Sequence, residues 1–213
     1  GMETSRATSL PRLLSLIGIG FAVALFLGVG FVNIPHDATD AEMAAWWSDS
    51  GNTTSVVISG VLITLAALAF HAMIVTLKSR IVVASRSGEV LTQVLAGVGL
   101  ISAALMAASR LPILAIAAGM KRDDEPMPGT DLLRYFPQLG YAAMGLSVTL
   151  AGVTLLLLGL AAMRLSGFAV WFSWTSVILG AVLAIGGVVI GPLMIPVLLL
   201  WAVLFSVEQW RSQ

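Results

Sequence analysis

The chain has 213 residues, of which 58% are hydrophobic and only 10% are charged, and its mean hydropathy is +0.99. A soluble domain of average composition carries about 25% charged residues, so this composition excludes an ordinary water-soluble domain. The absence of cysteine excludes disulfides and thiolate metal sites, and eleven basic against eleven acidic residues provide no net field for nucleic acid. We therefore expect membrane lipid, and not nucleic acid, as the main partner.

Six apolar stretches are long enough for transmembrane helices, because one crossing takes about 20 apolar residues. The hydropathy predicts an all-α, polytopic membrane helix bundle that forms a single transmembrane domain over residues 1–213. The first stretch is too long for a signal-peptide core and no small-x-small cleavage site follows it, so we expect it to persist as a helix. The predicted spans are 13–33, 55–77, 90–118, 139–163, 168–190 and 192–208.

Basic residues predict the orientation of these spans, because Lys and Arg near span ends are retained on the cytoplasmic side. In a six-span arrangement most basic residues fall on one side and most acidic residues on the other. We therefore expect both termini to be cytoplasmic, and the connections 34–54 and 119–138 to be exoplasmic. The basic residues on the predicted cytoplasmic side are Arg6, Arg12, Lys78, Arg80, Arg86, Arg164 and Arg211.

The first exoplasmic connection contains a short helix signal. Thr39 and Glu42 have the capping-box spacing, in which each side chain satisfies a backbone N–H at the start of a helix. Met43, Trp46 and Trp47 follow at helical spacing on one face, which predicts an amphipathic helix at the outer headgroup boundary. The sharper alternative is that this helix covers a cavity in the outer half of the bundle.

Two further connections differ in character. The charged and proline-rich stretch 121–129 predicts a solvated turn within the second exoplasmic connection. Between the fifth and sixth spans the turn signals are the glycine pair 186–187 and the Gly191-Pro192 pair, with no charged residue from 168 to 207. We therefore expect a tight hairpin there.

Small residues recur at helical spacing and predict the faces on which the helices pack, because small side chains let backbones approach in lipid. We expect these faces to point inward. On the first span this face consists of Gly20, Ala24 and Gly28, and on the second of Gly60, Thr64, Ala67, His71 and Lys78. On the fourth span it consists of Tyr141, Gly145, Thr149 and Gly152, and on the fifth of Ser173, Ser176, Gly180, Ala184, Gly187 and Gly191.

His71 is the ionisable residue deepest within a predicted span. An ionisable group in the membrane is costly and suggests a functional site, such as a ligand contact. The structural alternative is a neutral imidazole that is hydrogen-bonded to a neighbouring helix. A single histidine makes neither a metal centre nor a catalytic dyad, and His36 is predicted on the opposite side, which disfavours bis-histidine haem within the chain.

Arg110 is the second candidate, because the third apolar stretch of almost 30 residues reaches the outer membrane boundary near it. One interpretation is that its guanidinium extends to the interface. The other is that it turns inward, where it pairs with Asp37 or Asp131 or binds an anionic headgroup. The best predicted ligand-binding cavity is lined by Arg110 and Tyr141 in the outer half and roofed by Trp46 and Trp47.

The remaining chemistry-bearing residues give weaker signals. His36, Asp37, Asp40 and Glu42 provide metal-ligating atoms within a few residues, but the same acidic residues suit the start of a helix. The acidic run 123–125 lacks the spacing of a calcium loop. We therefore expect no metal site and no cofactor.

Several stretches together resemble a known group of proteins: the first span, AEMAAWW at 41–47, LKSR at 77–80 and LAAMR at 160–164. They resemble uncharacterised six-span integral membrane proteins of bacteria, especially actinobacteria. The resemblance covers most of the chain and rests on layout and composition. It implies a bacterial plasma-membrane location, and it carries over no catalytic or ligand residue because the group has no established activity.

These features favour a protein that binds or transports a small, largely hydrophobic molecule through the outer-half cavity. The alternative is a structural or accessory subunit, whose small-residue faces pack against another membrane protein or a second copy of the chain. An enzyme is disfavoured, because the spans offer a single histidine with no carboxylate at its depth. A channel is also disfavoured, because no span carries a regular row of polar residues.

Overall fold

The structure is a computed structural model that describes residues 9–35, 37–84, 89–121, 127–165 and 167–212. The described residues form eight α-helices and one short 3₁₀ turn, with no strand among them. The helices are α1 (Ser9–Gly30), α2 (Asp40–Ser48), α3 (Ser50–Ala84), α4 (Glu89–Ala108), α5 (Leu111–Gly119), α6 (Thr130–Ala162), α7 (Val170–Ile190) and α8 (Ile195–Arg211), and the 3₁₀ turn is Gly191–Met194.

Four helical stretches in the described residues are long and apolar enough to cross a membrane. They are Ser50–Val83, Val90–Gly119, Thr130–Ala162 and Val170–Arg211, and a shorter apolar helix covers Ser15–Gly30. The all-helical prediction therefore agrees with the structure, and the chain is compatible with a membrane-embedded protein.

The last of these stretches is a hairpin of two antiparallel helices. Gly191 has a φ of 55°, a left-handed conformation that glycine adopts at little cost, and there the chain reverses between α7 and α8. The indole N–H of Trp201 on α8 donates to the Ser176 hydroxyl on α7 at 3.0 Å. Nearer the far ends of the two helices, the backbone N–H of Ala169 donates to the Glu208 carboxylate at 3.3 Å. The tight hairpin expected from the glycines is present.

Six helices pack in a closed ring, in the order α1, α3, α4, α6, α7 and α8, with α8 returning to α1. Their inward side chains form one large apolar core that includes Phe21, Phe70, Leu155, Phe172 and Trp201. We call one end of the ring the α2 end, because α2, α5 and the Gly191 turn lie there. The other is the Arg211 end, which holds the last turns of α3, α6 and α8.

Backbone contact between α6 and α7 depends on glycines that repeat every seven residues. A Cβ on Gly152 would lie 2.3 Å from the backbone N of Ala184, and one on Gly159 would lie 2.7 Å from the carbonyl O of Ser173. On α7, a Cβ on Gly180 would lie 2.5 Å from the backbone N of Leu156. The predicted inward faces of these two helices are therefore confirmed at Gly152 and Gly180, whereas Tyr141, which was expected on the same face, is exposed.

The predicted faces of the first two spans are only partly correct. Gly28 packs on Ile63, but Gly20 has no neighbouring atom within 4 Å of an added Cβ, and Gly18 takes its place against Ala202. On α3, Gly60 and Ala67 are buried, whereas Thr64 is exposed. The core face of α3 includes larger side chains, because burying more apolar surface gives a larger favourable free energy. These residues are Val56, Ile63, Phe70, Met73 and Leu77.

Helix boundaries differ from the predicted spans where proline and polar residues suggested loops. α6 begins at Thr130, inside the predicted connection 119–138, and continues through Pro137. The predicted third span is interrupted between α4 and α5, because Pro112 has no N–H to donate and its ring crowds the preceding turn. Both differences lie at the α2 end, next to the cavity described below.

Candidate functional site

A cavity at the α2 end lies between the last turn of α1, the break between α4 and α5, the first half of α6 and the start of α8. The space open to the centre of a water molecule is about 40 Å³. Most of the lining is apolar, and polar side chains come from three positions, Ser109, Arg110 and Tyr141. The apolar lining residues are Val29, Val32, Ile34, Ile113, Pro137, Gly140, Met144, Pro192 and Ile195.

The interrupted helix places Arg110 at this cavity. α4 ends at Ala108, and the Ser109 hydroxyl donates to the Met106 carbonyl at 2.6 Å, which satisfies one of the last carbonyls of that helix. Arg110 is the residue that precedes α5, with φ −93° and ψ −11°. Gly140 on α6 lets the two segments touch, because a Cβ there would lie 2.3 Å from the Ser109 carbonyl O.

The Arg110 side chain is partly buried and reaches across to α1. Its Nη2 donates to the Gly28 carbonyl at 3.4 Å, and the Ser59 hydroxyl donates to the same oxygen. Gly28 lies in the last turn of α1, where carbonyls have no donor within the helix. The Nε of Arg110 is buried and has no hydrogen-bond partner.

No carboxylate of the described residues lies within ion-pair distance of Arg110. Asp37 and Asp131, the acidic partners considered from the sequence, are both exposed and pair with no arginine of the described ranges. The alternative in which Arg110 pairs with Asp37 or Asp131 is therefore wrong, and the guanidinium faces the cavity and Gly28. Tyr141 lines the same cavity.

Trp46 and Trp47 do not roof this cavity, contrary to the prediction. Trp47 is fully buried in a second apolar cluster with Met43, Ile113 and Leu133, and Trp46 packs edge-on against it with ring centroids 4.9 Å apart. The two indole rings do not reach the cavity, because this face of α2 packs against the apolar side chains of the second cluster. Ile113 belongs to both groups, so the cluster supports the cavity wall from behind.

α2 itself begins as predicted. Thr39 caps it, and the Thr39 backbone N–H and hydroxyl both donate to the Glu42 carboxylate at 2.8 Å. These two hydrogen bonds lower the pKa of Glu42 below its usual 4.5, because they stabilise the charged form. The Glu42 carboxylate therefore contributes to the start of α2.

His71 is on α3 and does not line the cavity. It is half-buried, and its Nδ1 is buried without a hydrogen-bond partner. The structural alternative proposed from the sequence, a hydrogen bond from the imidazole to a neighbouring helix, is therefore not formed at this nitrogen. No group of three metal-ligating side chains occurs among the described residues, and His36 lies outside them.

A cluster of charged and aromatic side chains at the Arg211 end was not predicted from the sequence. Arg80 on α3 lies 3.5 Å from the Glu208 carboxylate on α8, donates to the Gly167 carbonyl at 2.8 Å and lies 4.4 Å from the centroid of the Phe168 ring. Glu208 is 4% exposed and also accepts from the backbone N–H of Ala169. Glu208 is the one acidic residue within the predicted last span, and this could have indicated a buried ion pair. Its partner, Arg80, could not be predicted because it comes close only when the helices close the ring.

A second pair crosses the α2 end. Arg134 on α6 donates to the Asp40 carboxylate and to the Ala38 carbonyl, each at 2.9 Å. It also lines a cavity of about 280 Å³ with Pro35, Met43, Tyr135 and Gln138. Ile34 and Pro137 line this cavity as well as the one at Arg110, so the two cavities share these two wall residues.

Comparison with known proteins found no matching family model, curated protein or solved structure.

Proposed function

We propose that the protein crosses a membrane six times, with both termini in the cytoplasm. The hairpin supports this proposal, because α7 and α8 contain 21 and 17 residues and their lengths of about 32 and 26 Å are each close to a hydrocarbon core of about 30 Å. The distribution of charge agrees. Lys78, Arg164 and Arg211 are at the Arg211 end, whereas Asp37, Asp40, Glu42, Asp49 and Asp131 are at the α2 end.

Single cysteines introduced into this cysteine-free chain test the threading. We expect Lys121→Cys to react with a membrane-impermeant maleimide in intact cells, and Arg164→Cys and Ser212→Cys to react only after permeabilisation. The pair Arg164 and Ser212 brackets α7 and α8, so labelling from opposite sides would show that this hairpin does not cross twice.

Within this bundle we propose that the cavity at Arg110 binds a small, largely hydrophobic molecule, and that the protein stores or transports that molecule. The observation that carries the proposal is the composition of the cavity, in which Arg110 and Tyr141 project among apolar side chains. Binding sites for small molecules combine an apolar lining with a few polar groups that fix orientation. An arginine in such surroundings is costly unless something contacts it.

Native mass spectrometry of gently extracted protein tests this proposal, because a retained molecule adds its own mass. Val29→Phe should fill the cavity and remove that mass, since Val29 lines it. Val23→Phe is the matched control, because Val23 is on the same helix and is 52% exposed on the outside of the bundle. Retention by Val29→Phe, or no added mass on the unaltered protein, would contradict the proposal.

A further inference from the structure

No carboxylate among the residues that the structure describes balances the charge on Arg110. Arg80 and Arg134 each have a carboxylate partner, at 3.5 and 2.9 Å, whereas Arg110 has the Gly28 carbonyl at 3.4 Å and a buried Nε without a partner. A carbonyl dipole offsets a full positive charge only in part. The site is therefore electrostatically incomplete, and an anion is the group that completes it.

The geometry of the guanidinium adds to the same preference. The guanidinium can donate two parallel hydrogen bonds to a carboxylate or phosphate, and Tyr141 lines the same cavity. These groups suit a compact anionic headgroup.

The volumes of the two cavities limit the size of the ligand. The space of about 40 Å³ at Arg110 is enough for one small headgroup and too little for a whole amphiphile. The remainder of a ligand has to lie outside this space, and the cavity of about 280 Å³ that shares Ile34 and Pro137 with it is the neighbouring space. Met43 and Tyr135 offer apolar contacts there.

We propose that the ligand is a small single-chain amphiphile whose carboxylate or phosphate binds Arg110 and whose alkyl part extends past Ile34 and Pro137 into the second cavity. This inference rests on the proposed function of the cavity and specifies the ligand class. The ligand reaches Arg110 from the α2 end, where the second cavity opens.

A series of eight-carbon probes tests the inference on the unaltered protein. Octanoate, octyl phosphate, octanol, octyltrimethylammonium and inorganic phosphate are titrated by calorimetry into protein held in nanodiscs of phosphatidylcholine, with empty nanodiscs subtracted. We expect both anionic amphiphiles to bind at least tenfold more tightly than octanol, and octyltrimethylammonium not to bind. Inorganic phosphate should bind at least tenfold more weakly than octyl phosphate.

Variants connect the preference to Arg110. Arg110→Gln should lose at least tenfold in affinity for octanoate and keep its affinity for octanol, and Arg110→Lys should lie between, because it keeps the charge without the planar fork. Arg164→Gln is the matched control, since this arginine is exposed at the opposite end. Val29→Phe should weaken every amphiphile that binds.

The outcomes separate this inference from the proposed function. Equal affinity for octanoate and octanol, with both lost in Val29→Phe, would overturn the anionic headgroup and leave a hydrophobic-ligand site. Inorganic phosphate binding as tightly as octyl phosphate would overturn the amphiphile. No binding of any probe would overturn both proposals. Because the probe series uses unaltered protein, a folding defect in Arg110→Gln does not affect these conclusions.

Discussion

Gly152 lies where the backbones of α6 and α7 touch, and Gly152→Ala tests this contact. The new Cβ would lie 2.3 Å from the backbone N of Ala184 and 2.7 Å from the carbonyl O of Gly180, whereas ordinary Cβ contacts begin at 3.4 Å. Both neighbours are backbone atoms, so the helices have to separate by about 1 Å. Overpacking of this kind costs about 1–3 kcal/mol.

Gly20→Ala is the matched control, because the same substitution on α1 meets no atom within 4 Å. Alanine is favoured over glycine inside a helix by about 0.5–1 kcal/mol, so the control should be neutral or slightly stabilising. We expect the free energies of unfolding of the two variants to differ by about 2 kcal/mol, which is about thirtyfold in the unfolding equilibrium constant.

Titration with sodium dodecyl sulfate, followed by tryptophan fluorescence, measures this difference, because Trp201 is fully buried in the core. Equal unfolding midpoints for Gly152→Ala and Gly20→Ala would refute the reasoning, since they would show that α6 and α7 do not approach through glycine. A stabilised Gly152→Ala would refute it equally, because helix propensity would then outweigh the contact.

The remaining predictions concern the Arg211 end and the start of α2. Glu208→Gln should destabilise the protein by about 2 kcal/mol, because Arg80 loses its counter-charge. Adding Arg80→Met to this variant should recover part of the lost stability. A double-mutant cycle measures this coupling, and a coupling energy of zero would contradict an interaction between the two side chains. Thr39→Ala should cost α2 about 1 kcal/mol and speed its amide hydrogen exchange about fivefold, whereas Ser48→Ala should not. Because the pKa of Glu42 is lowered, the cap stabilises α2 fully above pH 4.5, and this stabilisation is lost as the pH falls through the lowered pKa. Amide hydrogen exchange in α2 should therefore speed up at acidic pH beyond the intrinsic effect of pH. Exchange protection in α2 that does not change at acidic pH would contradict this prediction.

The amino-acid sequence predicted some residues of the candidate site but not their contacts. Arg110 and Tyr141 were expected at one cavity, and the structure brings them together. The partner of Arg110 was not foreseen, because the Gly28 carbonyl is a backbone group on another helix and leaves no side-chain signal. The position of Trp47 was wrong, because helical spacing shows which residues share a face but not whether lipid or protein covers it.

Local physical chemistry explains what the amino-acid sequence determined by itself. Apolar stretches specify helices because backbone groups in lipid have to bond within their own segment, and the Thr39 cap and Gly191 turn depend on neighbouring residues alone. The tertiary structure decided what distant residues do: it directed Gly18 and not Gly20 to the core, paired Arg80 with Glu208, and left Arg110 without an acid. These outcomes depend on how each helix rotates about its axis when the ring closes, which no local pattern encodes.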